Sequence, residues 1–419
     1  MNSVGVTEWT LSNGARVIVK PTDFERDTVV VAATSPGGTA LAADNDYYSA
    51  RFSTAAVAVG GVANLDAEEL TKVLAGKQVA ITPSIGETTE GFNGQASPRD
   101  LETLFQLLHL RITAPRKDIE QFKIWQANSA EQVANQARSP EYQYARNTTE
   151  ALYSNSIRRN LPKPEDFARV DLDKAMSFYR SRFGDVSDFT FVFVGELDLA
   201  TLRRLVETYL ASLPGKGRIE VEKDLKIRKV PHVVKKQWQL GTEPKASVQL
   251  QFHAGESWSR DKERDMYVVS QALSHALREK MREDKSGVYG VSVNGAMLRS
   301  PYPERTFAIS FGCEPARVDE LIATVMATVE QISKDGIDAG RMDRLKQIYV
   351  RSREIDLRTN RFWLDRLTFA YRYRDDPTDI LDTSKTLARM TNATLKAAVA
   401  RFLDRKQVFT AIRLPAAAN

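Results

Sequence analysis

Residues 98–104 read Pro-Arg-Asp-Leu-Glu-Thr-Leu, and residues 315–321 repeat them in similar form as Pro-Ala-Arg-Val-Asp-Glu-Leu. Both copies begin with a proline, place acidic residues in the first turn and continue with apolar residues at helical spacing. This pattern is typical of the start of an amphipathic helix. The copies lie 217 residues apart, so we expect neighbouring segments to repeat at the same offset if the chain is duplicated.

Other segments do repeat at about this offset. The pairs are the strands Val29–Ala33 and Val248–Phe252, the helix starts at Asp118-Ile119 and Ile337-Asp338, and the helix-plus-strand segments 172–194 and 395–412. A constant offset across four elements indicates an internal duplication. We therefore predict two homologous domains, residues 1–222 and 223–419. Because strands come in pairs and helices in runs, each domain is predicted to be α+β, a mainly antiparallel sheet with helices packed on one face.

The basic segment Lys216–Lys236 contains Pro231 and has little helical periodicity. Two interpretations stay open for it, a connector between the two domains and a solvated charged strand.

Composition excludes several classes of protein. The chain has 419 residues, 42% hydrophobic and 27% charged, which is typical of a soluble globular protein. No apolar run approaches the roughly 18 residues that a membrane-spanning helix needs, and the N-terminus as written lacks the pattern of a signal peptide. The 59 basic and 54 acidic residues are well mixed, so we expect neither a nucleic-acid nor a membrane partner.

Residues suited to metal or nucleophile chemistry are scarce. The whole chain has four histidines and one cysteine: His109, His232, His253, His275 and Cys313. A disulfide within the chain is impossible, and no two histidines stand three or four residues apart, as a helical zinc pair requires. The sequence predicts structural histidines within helices and a small buried Cys313. Of the four histidines, His253 at a strand end is the best candidate for a place near a cleft, but a position away from one is favoured even there.

One segment combines residues suited to peptide binding. A helix with an apolar face ends near Glu283 and passes through Ser286-Gly287 into the strand Val288–Val293. This places Arg282 in the last helical turn and Tyr289 on the adjoining strand. A guanidinium and a phenolic hydroxyl facing one point suit a peptide carbonyl or a developing oxyanion. The alternative, an exposed charged helix end beside an ordinary strand aromatic, is the one that residue chemistry alone favours.

The pair Arg282 and Tyr289, with six residues between them, resembles the arginine and tyrosine in the C-terminal half of the pitrilysin or insulinase-type zinc peptidases, the inverzincins. Residues 11–17 resemble the opening Asn-Gly strand pair of a family half, and residues 178–196 resemble the helix and strand that close its first domain. The resemblance covers nearly the whole chain. It is strongest to the C-terminal, non-zinc half of bacterial PqqL-like members.

The chain departs from the family at the metal. Family members hold zinc through His-x-x-Glu-His on a helix and a more distant Glu, with the first Glu as general base. The helix that resembles the zinc helix has Arg51 and Ala55 in place of the histidines and Thr54 in place of the base, with Glu131 near the place of the distant ligand. No His-x-x-Glu-His occurs anywhere in the chain. The expectation is that this chain binds no metal or other cofactor, and that zinc belongs to a partner half.

The resemblance implies the non-catalytic, substrate-binding half of a zinc metalloendopeptidase, inactive alone and completed, as a heterodimer or within a longer precursor, by a half with His-x-x-Glu-His. In such a chamber Tyr289 would donate a hydrogen bond near the scissile carbonyl, and Arg282 would hold the peptide or steady Tyr289. An exported precursor would place the chain in the periplasm, and otherwise it would be cytoplasmic.

Two other functions compete with this one. One is an inactive scaffold subunit, as in the core proteins of the respiratory cytochrome complex; the presence of both Arg282 and Tyr289 favours the peptidase half over it. The other is a self-sufficient hydrolase, for which no Gly-x-Ser-x-Gly elbow is found.

Overall fold

The computed structural model of the chain describes residues 4–283 and 288–416, without the side chains of Arg282, Glu283, Val288 and Tyr289. Across these residues, no helix combines the length and the apolar character needed to cross a bilayer.

The chain forms two compact units, and each contains a segment from the other half of the sequence. Unit 1 comprises the chain up to Val133, Lys163–Lys223 and Arg353–Leu381; unit 2 comprises Ala134–Pro162, Asp224–Ser352 and the chain from Asp382. The break at Lys223 lies beside the predicted boundary between residues 222 and 223. The division into homologous domains at that boundary stays a prediction.

The strands, in chain order, are β1 (Thr7–Thr10), β2 (Arg16–Pro21), β3 (Val29–Pro36), β4 (Val79–Ile85), β5 (Thr89–Ala96), β6 (Thr190–Gly195), β7 (Val234–Gln239), β8 (Ala246–Gly255), β9 (Val288–Leu298), β10 (Glu304–Cys313) and β11 (Val408–Leu414). The helices are α1 (Tyr47–Arg51), α2 (Ser53–Ala58), α3 (Ala67–Val73), α4 (Leu101–Thr113), α5 (Ile119–Gln136), α6 (Pro140–Leu152), α7 (Pro164–Phe167), α8 (Leu172–Phe183), α9 (Leu199–Leu205), α10 (Arg260–Glu283), α11 (Val318–Asp335), α12 (Ala339–Asp356), α13 (Asn360–Tyr373), α14 (Ser384–Arg389) and α15 (Asn392–Phe402).

The two sheets share one strand order. Unit 1 has the order β1-β2-β6-β3-β5-β4, and unit 2 has β7-β11-β8-β10-β9. Without β1, the orders match strand for strand, and the equivalent pairs β2/β6 and β7/β11 are the parallel ones while the other pairs are antiparallel. The predicted α+β class with mainly antiparallel sheets is confirmed, and the common order supports the duplication.

Helices cover both faces of the unit 1 sheet. Successive side chains of a strand point to opposite faces, so the buried run of β6 meets two different layers. Phe193 stacks on Phe105 of α4, with ring centroids 5.2 Å apart. On the opposite face, Val192 and Val194 belong to a core that includes Leu367 of α13. The predicted packing on one face is therefore incomplete, because the exchanged segment that contains α13 covers the second face.

The unit 2 sheet follows the same plan with helix α6. Ile412 of β11 belongs to the main core of unit 2, whereas the neighbouring Ala411 packs in a second cluster with Leu152 of α6. The Tyr144 hydroxyl on α6 also donates to the main-chain oxygen of Ala411 at 2.9 Å. In unit 2, α6 thus takes the part that α13 takes in unit 1.

Candidate functional site

The predicted helix and the predicted strand are both present, and Ser286-Gly287 between them lies outside the described residues. Helix α10 ends at Glu283 and strand β9 begins at Val288, so Arg282 lies in the last turn and Tyr289 is the second residue of the strand. The side chains of Arg282 and Tyr289 lie outside the described part of the chain. Their pairing therefore stays a prediction.

Contacts from two neighbouring helices hold the end of α10. Glu279 forms an ion pair with Arg341 of α12, with Oε2 and Nη2 2.7 Å apart. Lys280 Nζ donates to Gln331 Oε1 of α11 at 2.7 Å. Met281 is buried in the core of unit 2. These contacts fix the helix turn that carries Arg282.

Strand β9 lies at one edge of the unit 2 sheet. It pairs with β10, and the described residues place no strand on its other side. From Gly290 to Leu298 its residues alternate between exposed and half-buried. An edge strand of this kind has main-chain groups available to an extended peptide. The corner therefore lies where a peptide can approach.

The segment that resembles the zinc helix is interrupted. It is divided into α1 and α2 at Phe52, whose φ of −100° and ψ of 8° are not helical. The Phe52 ring packs on Phe167 at 4.8 Å and on Trp125 at 6.2 Å between centroids. The Arg51 guanidinium lies 5.4 Å from the Phe52 ring and 5.9 Å from the Tyr47 ring. Aromatic packing occupies the region next to the expected metal position.

The residues at this position do not fit a zinc ion. Zinc binds imidazole, thiolate and carboxylate groups, whereas Arg51 is a permanent cation and Ala55 has no donor atom. Glu131 is exposed on α5. Within the described ranges, no three His, Cys, Asp or Glu side chains are grouped as a metal site requires.

Two histidines have main-chain partners. His109 Nδ1 lies 3.0 Å from the oxygen of Tyr209, in agreement with a structural role. His253 is buried, and its Nε2 lies 2.8 Å from the oxygen of Val230, so it faces protein and not a cleft. Cys313 is buried as predicted, and burial raises the pKa of its thiol to about 11, which makes it a poor nucleophile.

The sequence did not reveal a buried ionic cluster around Glu90. The Glu90 side chain on β5 is fully buried, and its Oε2 accepts a hydrogen bond from the Gly38 amide at 2.6 Å. Its other oxygen, Oε1, lies 3.5 Å from Arg218 Nη2 and 3.8 Å from Arg182 Nη1, beyond good hydrogen-bond distance. Arg182 Nη1 instead donates to Glu220 at 2.6 Å.

Burial raises the pKa of Glu90 to about 7. The Gly38 amide and the guanidinium groups of Arg182 and Arg218 act in the opposite direction, and the charge of Glu220 adds to the increase. Desolvation prevails because neither guanidinium donates to Oε1 and because Arg182 is shared with Glu220.

This pKa predicts a pH-dependent stability. Because the folded pKa is raised, the contribution of protonated Glu90 is fully present below the ordinary value of 4.5 and is lost as the pH rises through about 7. Relative to Glu90→Gln, the unmodified chain should therefore lose up to about 1.4 kcal/mol of unfolding free energy per pH unit in this window. Urea unfolding at several pH values measures the difference. Glu131→Gln is the exposed control. If the difference in unfolding free energy between the unmodified chain and Glu90→Gln does not change with pH, the raised pKa of Glu90 is contradicted.

The first part of the basic segment, up to Lys223, belongs to unit 1, and the part from Asp224 belongs to unit 2. Residues 214–231 have no regular secondary structure, and β7 follows them. Arg218, Glu220 and Glu222 point into unit 1, where Glu222 pairs with Arg372 Nη2 at 2.5 Å. The alternating charges of Arg218, Glu220 and Glu222 are the sequence signal that would have predicted a docked, extended chain.

Comparison with known proteins identifies the family resemblance. Residues 169–349 match the family model described as the Peptidase M16 inactive domain. The predicted resemblance to the M16, or pitrilysin, peptidases is confirmed. The probable zinc protease PqqL of Haemophilus influenzae is 26% identical over 80% of this chain and 35% of its own length, and an Arabidopsis thaliana zinc protease PQQL-like protein is 26% identical over 98% and 43%.

Solved M16 structures show the same fold. The periplasmic protease PqqL from Escherichia coli matches with a TM-score of 0.83 and 23% identity, covering 98% of this chain and 45% of that one. The first half of that protease alone reaches a TM-score of 0.75 and 14% identity, covering 98% of this chain and 92% of that one. The better match therefore lies outside the first half, which agrees with the predicted resemblance to the C-terminal half. The chain spans less than half the length of these M16 relatives.

Proposed function

We propose that this chain is the substrate-binding, non-catalytic half of an M16-type zinc metalloendopeptidase, and that it acts with a zinc-bearing half that carries His-x-x-Glu-His. The observation that carries the proposal is the match of residues 169–349 to the inactive domain. The presence of Arg51, Thr54 and Ala55 at the position of the zinc motif supports it. Zinc and the water that it activates would belong to the other half.

The helix-to-strand corner gives this chain its part in the reaction. Tyr289 donates a hydrogen bond to the scissile carbonyl oxygen as that oxygen gains negative charge. Arg282 holds the peptide main chain or orients the Tyr289 hydroxyl. Donors fixed in a site without bulk water stabilise such charge more than water does, since they need no reorganisation. The contacts of Glu279 and Lys280 support this by fixing the helix end.

An unfolded peptide is the substrate class that the corner suits. An extended peptide can add to the edge strand β9 through main-chain hydrogen bonds, so recognition would depend little on side-chain sequence. The compartment depends on whether the precursor is exported. An exported chain would be periplasmic, like the periplasmic protease PqqL from E. coli, and a chain that is not exported would be cytoplasmic.

A scaffold subunit of the same fold is the competing function. Such a subunit needs the two units and the surface that binds its partner, but it has no use for Arg282 and Tyr289. A complex that forms with the natural partner and cleaves no peptide would favour the scaffold.

The isolated chain should bind no stoichiometric zinc and should cleave no peptide. After equilibration with zinc and gel filtration, elemental analysis should find well below one zinc per chain, because the zinc position offers a cation and an alanine. A quenched fluorescent peptide should stay intact. Adding the His-x-x-Glu-His polypeptide, encoded beside this chain or before it in one precursor, should start cleavage. One zinc per isolated chain would overturn the proposal.

A further inference from the structure

Residues 218–222 form an extended segment with inverted polarity. Arg218, Glu220 and Glu222 face the protein, whereas Ile219 and Val221 between them are 88% and 78% exposed. These are the two most exposed large hydrophobic side chains in the part of the chain that the structure describes. At a free surface, solvent favours charged side chains that face outward and apolar side chains that face the protein, and this segment has the reverse arrangement.

Ion pairs and hydrogen bonds hold this segment in its orientation. Arg218 Nη2 lies 3.1 Å from Asp188 Oδ1, and Arg218 Nη1 donates to the main-chain oxygen of Ser181 at 2.9 Å. Glu220 accepts from Arg182, and Glu222 accepts from Arg372. Turning Ile219 and Val221 inward would separate these largely buried charges, which is costly. The outward position of the two apolar side chains is thus built into the fold.

We propose that Ile219 and Val221 form a docking strip for the zinc-bearing half. The inference rests on the proposed function and names the contact by which the two halves meet. In the curated relatives, the matched region makes up 35% and 43% of the length, so the part that accompanies it is longer than the matched region itself.

The strip can be only a part of the contact with the zinc-bearing half. Two side chains supply far less than the roughly 800 Å² per partner of a stable interface, so the strip must belong to a wider contact. The partner surface opposite the strip should be apolar, because a charge buried against these side chains would lose its hydration without a partner.

The test compares association of the unmodified chain and the double variant Ile219→Glu/Val221→Glu with the zinc-bearing half, expressed as separate polypeptides. Sedimentation velocity should show a Kd at least about tenfold higher for the variant, since two apolar contacts are lost and two charges are buried. The thermal unfolding of the variant alone should be unchanged. Val73→Glu in α3, 53% exposed, is the matched control and should bind as the unmodified chain does.

The outcomes separate the docking strip from the proposed function. If the double variant binds with full affinity, Ile219 and Val221 are not a docking strip. The complex itself would still support the proposed function. Failure of the unmodified chain to bind the zinc-bearing half would contradict both. Self-association of the unmodified chain that the double substitution abolishes would assign the strip to a second copy and overturn the inference.

Discussion

Tyr289→Phe should lower the kcat of the reconstituted peptidase by about 10²–10³-fold, which is the usual effect of removing one donor from an oxyanion. The Phe ring keeps the shape of the strand residue and removes only the hydroxyl. Binding of the zinc-bearing half should be unchanged, and KM should change far less than kcat, because the hydrogen bond strengthens mainly in the transition state.

Matched variants separate this effect from a general loss of structure. Tyr349→Phe on α12 removes a phenol elsewhere in unit 2, and Arg278→Ala on α10 removes an exposed guanidinium one turn before Arg282. Both should retain full activity, whereas Arg282→Ala should lower kcat/KM. Equal cleavage rates for Tyr289→Phe and the unmodified chain would contradict a catalytic role for the Tyr289 hydroxyl and leave Tyr289 as an ordinary strand aromatic.

Trp363→Ala should lower the unfolding free energy by about 3–5 kcal/mol. Trp363 of α13 is 3% exposed, its Nε1 donates to the oxygen of Leu357 at 2.9 Å, and Lys20 Nζ lies 3.9 Å from its ring centroid. The substitution leaves a cavity beside β6 and removes both polar contacts.

The neighbouring Phe362 provides the control, because it is only partly buried on the same helix. Phe362→Ala should cost much less, and chemical denaturation measures both. A loss for Trp363→Ala no larger than that for Phe362→Ala would contradict the packing of Trp363 in the core of unit 1. A large loss for Trp363→Ala alone would show that the first sheet depends on residues from the second half of the sequence.

The sequence predicted strands where apolar residues run together, as at β6, but it did not predict what covers each face. A continuous apolar run shows that a strand is buried on both sides without naming the covering helix, and α13 comes from more than 160 residues away. Strands β4 and β5 were not predicted at all. Pro83 interrupts the sequence of β4, and the glycines and polar residues of β5 have low strand propensity. A Cβ at Gly91 would lie 1.9 Å from the Ala33 oxygen, so the pairing of β5 with β3 depends on this glycine.

The candidate site was predictable in one respect. The end of α10 and the start of β9 are local signals, so the positions of Arg282 and Tyr289 along the backbone follow from the sequence. The cluster around Glu90 is not local, since Arg182 lies on α8 and Arg218 lies in the basic segment Lys216–Lys236. The spacing of these residues in the sequence does not indicate that their side chains meet in the folded chain.

Peptide cleavage by the two halves, assayed separately and in equimolar mixture, tests the central claim most directly. If this chain is the substrate-binding half of a zinc peptidase, neither polypeptide alone cleaves the quenched peptide and the mixture does. Equal activity of the zinc-bearing half with and without this chain would contradict the account.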